Sequence, residues 1–194
     1  NKNVYMLGDI VHNEEVAKKL KNAGLKKIEK LNSGKNKMLL LRAHGASLRT
    51  IDTANRFGYK IVDATCPMVK EIHRIAIRAE SEGRAIIVIG DKKHDEVRGI
   101  IGQLKRNAIV ISGPEDVPLK RIKKIKKAAI VTQSTQNSVK VLKIAGLLKH
   151  YIRDLKFFNT ICQPTRTKQQ EMQNMPLEND MMIIIGSKAS ANTQ

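Results

Sequence analysis

The chain has 194 residues, 41% of them hydrophobic and 28% charged; this is a globular balance for one or two domains with a real core, and it excludes a disordered chain. No apolar run approaches the ~18–20 residues that cross a bilayer, and only two cysteines, Cys66 and Cys162, exclude a disulfide-stapled secreted module. Lysine and arginine number 36 against 18 acidic residues, a net charge of +18 that admits nucleic acid, a membrane surface or an anionic small molecule as partner, but aromatics at 3% without tryptophan leave little for base stacking.

Short aliphatic runs alternate with longer amphipathic stretches. The predicted strands are Val4–Leu7, Met38–Ala43, Lys60–Val62, Ala85–Ile89, Ala108–Ile111, Ala129–Thr132, Phe157–Ile161 and Met181–Ile185. They are nearly continuous apolar runs, as suits strands covered on both faces. A first helix over 14–23 ends at Gly24, a C-cap residue. A second is capped by Ser47 and runs to Phe57, with Gly58 behind it. A third starts at Pro67, shows Met68, Val69, Ile72, Ile75, Ala76 and Ala79 on one face, and ends near Gly83. A further helix carries Val141, Ile144, Ala145, Leu148 and Ile152 at helical spacing.

This alternation implies an α/β fold with parallel sheets and right-handed crossovers. The seams follow the two cysteines, near residues 67 and 159. Both ends read as cuts: the first strand starts almost at once, and the chain stops straight after Met181–Ile185. No basic and apolar leader suggests export.

Reactive side chains collect just after the strands. His12-Asn13, His44-Gly45, Asp63-Ala64-Thr65-Cys66-Pro67, His94-Asp95-Glu96, Gln133-Ser134-Thr135, Cys162 and Gly186-Ser187-Lys188-Ala189-Ser190-Ala191-Asn192 all stand there. Ligands of open parallel sheets bind outside the carboxyl ends of strands, so these groups can converge on one cleft. Asp63-Ala64-Thr65-Cys66 and Asn159-Thr160-Ile161-Cys162 also form a faint repeat, one small α/β unit apart.

Each cysteine stands where a helix should begin, a position that favours thiolate and hence soft-metal or iron–sulfur ligation. Two inert buried thiols would account for them as well, and without a CxxC pair a zinc ribbon is disfavoured. Imidazoles of His12, His44 and His94 beside backbone N–H groups suit an anion such as diphosphate, although a surface or capping histidine would account for each as well; His73 and His150 lie inside helices. Glu96 is a candidate proton donor or relay, or simply an acidic residue of a first helical turn. The basic run from Lys120 to Lys127 is read as a solvated face with Ile122 and Ile125 turned inward, in preference to a phosphate-backbone contact.

In this order, Val11-His12-Asn13, Ala43-His44-Gly45, Asp63-Ala64-Thr65-Cys66-Pro67, His94-Asp95-Glu96-Val97 with Gly99 and Gly102-Gln103, Thr132-Gln133-Ser134-Thr135, Asn159-Thr160-Ile161-Cys162 with Thr165 and Gln169, and Gly186 to Asn192 resemble the 4-hydroxy-3-methylbut-2-enyl diphosphate reductase family of the non-mevalonate isoprenoid pathway. The resemblance covers the whole chain. It implies three similar α/β units around a central cleft: 1–66 as a truncated first unit, 67–158 as a second, and 159–194 as the start of a third. It implies reduction of the allylic alcohol diphosphate to isopentenyl and dimethylallyl diphosphates at a [4Fe-4S] cluster held by three cysteines, with electrons from ferredoxin or flavodoxin, in the cytoplasm, with no nucleic acid or membrane as partner.

Carried over by position, Cys66 and Cys162 are cluster ligands, and the family's first cysteine would precede Asn1. His12, His44 and His94 bind substrate, Glu96 delivers protons, and Ser134, Ser190, Ala191 and Asn192 complete the substrate contacts. Ser134 stands where the family usually has threonine, which keeps a hydroxyl, and Ala191 where many members have serine, which loses one contact to side chains. Pro176 should break a helix expected after Cys162. On this resemblance the piece in hand, short of one ligand and of most of its third unit, is expected to be inactive alone. The rival readings are a basic nucleic-acid-binding protein and a cysteine-nucleophile hydrolase or transferase with a histidine base.

Overall fold

The computed structural model describes residues 3–8 and 13–186. In the first half of the chain β1 (Val4–Leu7), β2 (Lys26–Ile28), β3 (Met38–Leu41) and β4 (Lys60–Asp63) pair in parallel in the order β2-β1-β3-β4. Parallel neighbours need crossover connections. α1 (Glu14–Asn22) joins β1 to β2, and α2 (Leu48–Arg56) joins β3 to β4. Both helices start on a side-chain cap: Asn13 accepts from the Val16 N–H at 3.1 Å and Ser47 from the Thr50 N–H at 3.1 Å.

The second half repeats the plan. β5 (Ala85–Ile89), β6 (Ile109–Ile111), β7 (Lys127–Thr132) and β8 (Asp154–Phe157) pair in parallel in the order β6-β5-β7-β8. α3 (Pro67–Ser81) leads into this sheet, α4 (Asp95–Ile101) joins β5 to β6, α5 (Leu119–Ile122) precedes β7, and α6 (Ser138–Lys149) joins β7 to β8. α7 (Gln163–Glu178) follows. Each sheet therefore reverses direction beside its first strand, between β1 and β3 and between β5 and β7. Such switch points are where open parallel sheets hold ligands.

The second sheet carries most of the core because β5 and β7 are aliphatic on both faces. Alternate residues point to opposite sides of a strand. Ile87, Ile89, Ile111 and Ile130 meet Val141, Ile144 and Leu148 of α6 on one face. Ile86, Val88, Ala129 and Val131 meet Ile72 and Ala76 of α3 and Val97 and Ile100 of α4 on the other. The first sheet has a smaller core of Leu39, Leu41, Ala54 and Tyr59. Its edge residues Lys60, Val62 and Asp63 are exposed, as are Lys156 and Phe157 of β8, so cover on both faces holds for β5 and β7 and not for the edge strands β4 and β8. Within the basic run Ile122 is buried and Ile125 packs against the core, as the sequence pattern implied.

Four expectations change. β2 was not foreseen, because Lys26-Lys27-Ile28 is polar; it is an edge strand whose lysines face water. The strand expected over Phe157–Ile161 lies earlier, at Asp154–Phe157. Beyond it the Thr160 side chain takes the place of the backbone ladder, its Oγ1 accepting from the Thr132 N–H and donating to the Thr132 carbonyl, each at 2.7 Å. Met181–Ile185 forms no strand and stands exposed. α7 continues through Pro176 to Glu178. The proline removes its own N–H bond, but it sits within the last turn of an exposed helix, where little further pairing depends on it.

Ile130 is fully buried between α6 and the sheet. Ile130→Ala is expected to cost about 2–5 kcal/mol, read as a lower urea midpoint with an unchanged slope.

Candidate active site

The carboxyl ends of both sheets face one seam, and the loop after β3 lies against α4. Arg42, which leaves β3, pairs with Asp95 at the start of α4, Nη1 to Oδ2 at 2.7 Å. At the other end of α4 the Leu48 N–H donates to the Gly102 carbonyl at 3.0 Å, and Gln103 Nε2 donates to the Ala46 carbonyl at 2.6 Å. Two glycines let the loop lie this close to α4 and to α3. A Cβ on Gly99 would come within 2.9 Å of the His44 carbonyl oxygen, and one on Gly45, whose φ is +80°, within 2.7 Å of His73 Cε1. A cavity of about 200 Å3 lies here, lined in part by Leu41, Arg42, Ser47, Asp95 and Gly99.

This approach brings two of the three strand-end histidines together. The rings of His44 and His94 meet edge to face, with centroids 5.4 Å apart and planes at 89°. His94 is the N-cap of α4, and its Nδ1 accepts from the Glu96 N–H at 3.2 Å. A neutral His94 must then carry its proton on Nε2.

Glu96 lies in the first turn of α4 yet is only 2% exposed. It is a first-turn acid, as one reading of the sequence had it, but one turned away from water. Oε1 accepts from the Ser134 N–H at 2.6 Å and Oε2 from the Ser134 hydroxyl at 2.8 Å. Burial pushes the Glu96 carboxyl above its ordinary value, and the two Ser134 bonds pull it part of the way back.

The cysteines occupy equivalent places. Cys66 is the N-cap of α3 and Cys162 the N-cap of α7, and neither side chain makes a capping bond. Each backbone N–H donates at 2.9 Å to the loop after the third strand of its own sheet, Cys66 to Ala43 and Cys162 to Ser134. Both are half-buried free thiols, and Cys162 Sγ lies 3.0 Å from Thr165 Oγ1. Ser134 is thus the meeting point of Glu96 and the Cys162 loop. Among the described residues no three His, Cys, Asp or Glu side chains gather as a metal-binding group. His12, Ser190, Ala191 and Asn192 lie outside the described residues.

Several polar groups around these residues carried no assigned role in the sequence reading. Gln133 is buried; its Oε1 accepts from the Asp91 N–H at 3.0 Å and its Nε2 donates to Thr135 at 2.9 Å, which ties the loops after β5 and β7. Gln169 accepts from the Ser138 N–H and donates to the Gln136 carbonyl, which holds α7 beside the start of α6. His73 is buried beneath Gly45, which lowers its pKa despite nearby Asp63, and its Nε2 has no hydrogen-bond partner among the described residues. The available signal was position: amides and hydroxyls at strand ends, and Arg42 closing an otherwise aliphatic run.

Over residues 1–194 the sequence matches the family described as LytB protein. The 4-hydroxy-3-methylbut-2-enyl diphosphate reductase of Alkaliphilus oremlandii is 34% identical over 194 residues, covering all of this chain and 69% of the relative. That of Clostridioides difficile is 35% identical over 192 residues, covering 98% and 69%. The chain belongs to the LytB family.

Two solved structures agree. One is of (E)-4-hydroxy-3-methyl-but-2-enyl diphosphate reductase, described as the terminal enzyme of the non-mevalonate pathway, with a TM-score of 0.81 at 33% identity over 100% of this chain and 69% of its own. The other is the Plasmodium falciparum E-1-hydroxy-2-methyl-but-2-enyl-4-diphosphate reductase, with a TM-score of 0.87 at 29% identity over 99% and 61%. The resemblance drawn from the sequence motifs holds, as does the reading of the chain as an enzyme of that family. The α/β class with parallel sheets holds, and two such units are seen among the described residues. Among the described residues no helix is long and apolar enough to cross a membrane.

Two outcomes are expected. A folded-state value raised above the unfolded one means that Glu96's contribution to stability is fully present below the ordinary carboxylate value and is lost as pH rises through the raised one. The melting-temperature difference between Glu96→Gln and the parent should therefore be smallest in acid and grow as pH rises through that window; a flat difference contradicts the raised value. Gly99→Ala should destabilise by about 1–3 kcal/mol through overpacking against the His44 carbonyl, measured by denaturant unfolding.

Proposed function

We propose that this chain contributes two of the three units of a site that removes the hydroxyl of 4-hydroxy-3-methylbut-2-enyl diphosphate by reduction. Two electrons and two protons convert the allylic alcohol into water and the isopentenyl and dimethylallyl diphosphates. The observation that carries this reading is Glu96, buried and held through both oxygens by Ser134, beside the paired rings of His44 and His94.

An iron–sulfur cluster fits the donor chemistry in part. Cys66 and Cys162 would hold it, because both thiols are free of capping bonds at equivalent loops. A three-thiolate set needs one more ligand than the two cysteines of this chain. When bound, a [4Fe-4S] cluster supplies electrons and a Lewis-acidic iron for the hydroxyl group.

The chain's own residues do the rest. Burial lets Glu96 keep a proton to higher pH than an ordinary carboxylate, as a proton donor requires. Ser134 Oγ, 2.8 Å from Glu96 Oε2, can accept that proton and donate its own toward the cleft. His94, with Nδ1 occupied, presents Nε2–H to an anionic oxygen, and His44 lies beside it. His12, Ser190 and Asn192 are assigned to the diphosphate by their place in the family motifs, with Ala191 offering only backbone.

The unit limits 1–66, 67–158 and 159–194 belong to this proposal, supported by the packing of α3 on the second sheet. Ferredoxin or flavodoxin as electron donor is supported by the net charge of +18, which attracts acidic partners. A cytoplasmic location is supported by the two free thiols.

Anaerobic reconstitution of the full-length protein with ferrous iron and sulfide tests the ligand assignment. Cys66→Ala and Cys162→Ala should each abolish the cluster absorption and the bound sulfide. Full retention in either variant overturns it.

A further inference from the structure

We propose that Arg42 is a positioning residue for this reaction: its ion pair with Asp95 sets the placement of His44, His94 and Glu96 relative to one another. The proposal rests on the reading of those three as groups of the substrate site.

Arg42 is the first polar residue after the aliphatic β3. Its side chain lies over the end of β1, where Gly8 has a φ of +73° and a Cβ would stand 3.0 Å from Nη1, 3.5 Å from Cζ and 3.9 Å from Cδ. The bare backbone of Gly8 therefore gives the guanidinium its place across the switch point of the first sheet. The guanidinium reaches Asp95 Oδ2 at 2.7 Å, with the two side chains 23% and 26% exposed. A charge pair this sheltered is short and directional, and loss of one partner leaves the other poorly solvated.

The position of the pair in the chain gives it leverage. Arg42 stands two residues before His44, and Asp95 stands between His94 and Glu96. The far end of α4 is already tied to the same loop by the Leu48–Gly102 and Gln103–Ala46 bonds. The Arg42–Asp95 pair ties the near end. With both ends held, α4 cannot pivot on the loop, and the edge-to-face contact of His44 with His94 has one geometry. Without it, the first turn of α4 keeps the Glu96–Ser134 bonds to its own unit and loses its charge-pair tie to the unit that carries His44.

The test uses Arg42→Met, which keeps the aliphatic stem, with Asp95→Asn as a second variant and Arg42→Lys as the conservative rescue. Proton NMR reads the nuclear Overhauser contact between the His44 and His94 rings, hydrogen exchange reads the amides of Glu96 to Arg98, and calorimetry reads the affinity for inorganic diphosphate. Arg42→Met and Asp95→Asn should each lose the ring contact, speed those amides about tenfold, and weaken diphosphate binding about tenfold. Protection of the β5 and β7 amides should be unchanged, and Arg42→Lys should restore the ring contact. Retention of the ring contact in both charge-removing variants overturns the proposal, as does parental diphosphate affinity after the contact is lost. If the parent itself does not bind diphosphate, the substrate-site reading fails, and the ring contact and exchange alone decide whether Arg42 positions the two histidines.

Discussion

The site depends on one close backbone approach. The loop after β3 lies on α3 and α4 at distances that side chains at three positions would forbid. A Cβ on Gly99 would meet the His44 carbonyl, one on Gly45 would meet the His73 ring, and one on Gly102 would run into Ser47 Cβ. Because those atoms are absent, the carboxyl end of the first sheet can rest against the first helix inside the second. His44 then reaches His94, and a cleft forms that neither sheet could build alone. Hydrogen bonds and an ion pair fasten this contact, but steric permission comes first.

The second sheet supplies the rigidity against which the seam is built. β5 and β7 are buried on both faces, and the loops that leave them hold Glu96, Gln133 and Ser134 with few degrees of freedom. Burial has an electrostatic consequence as well as a mechanical one. A carboxylate 2% exposed lacks water, so its charged form depends on the N–H and hydroxyl of Ser134. In the proposed reaction the same hydroxyl passes a proton outward. The proposed proton route thus runs through the same pair of residues that fastens α4 to the loop after β7.

Much of this was legible in the sequence, for reasons that differ by residue. Ala85–Ile89 and Ala129–Thr132 announced buried parallel strands because every position is apolar or small, and Ser47 and Pro67 marked helix starts by their capping chemistry. The strand-end rule located Glu96, His44, His94, Cys66 and Cys162 without reference to any contact. The burial of Glu96 was not legible, since the same residue in a first helical turn is ordinarily solvated; only its Ser134 partner, far along the chain, turns it inward. Arg42 and Asp95 were equally hidden, because nothing local to either says that they face each other. β8 was misplaced because Thr160 mimics a ladder residue with its side chain, and β2 was missed because an edge strand need not be apolar.

The central claim is that Glu96 is the proton donor of a reductive dehydroxylation. The direct measurement is single-turnover reduction of 4-hydroxy-3-methylbut-2-enyl diphosphate by the full-length, reconstituted protein with dithionite and a mediator, parent against Glu96→Gln. The account predicts an intact cluster, unchanged substrate binding and turnover lower by about 10²–10⁴-fold in the variant. Equal turnover in the two proteins would contradict it.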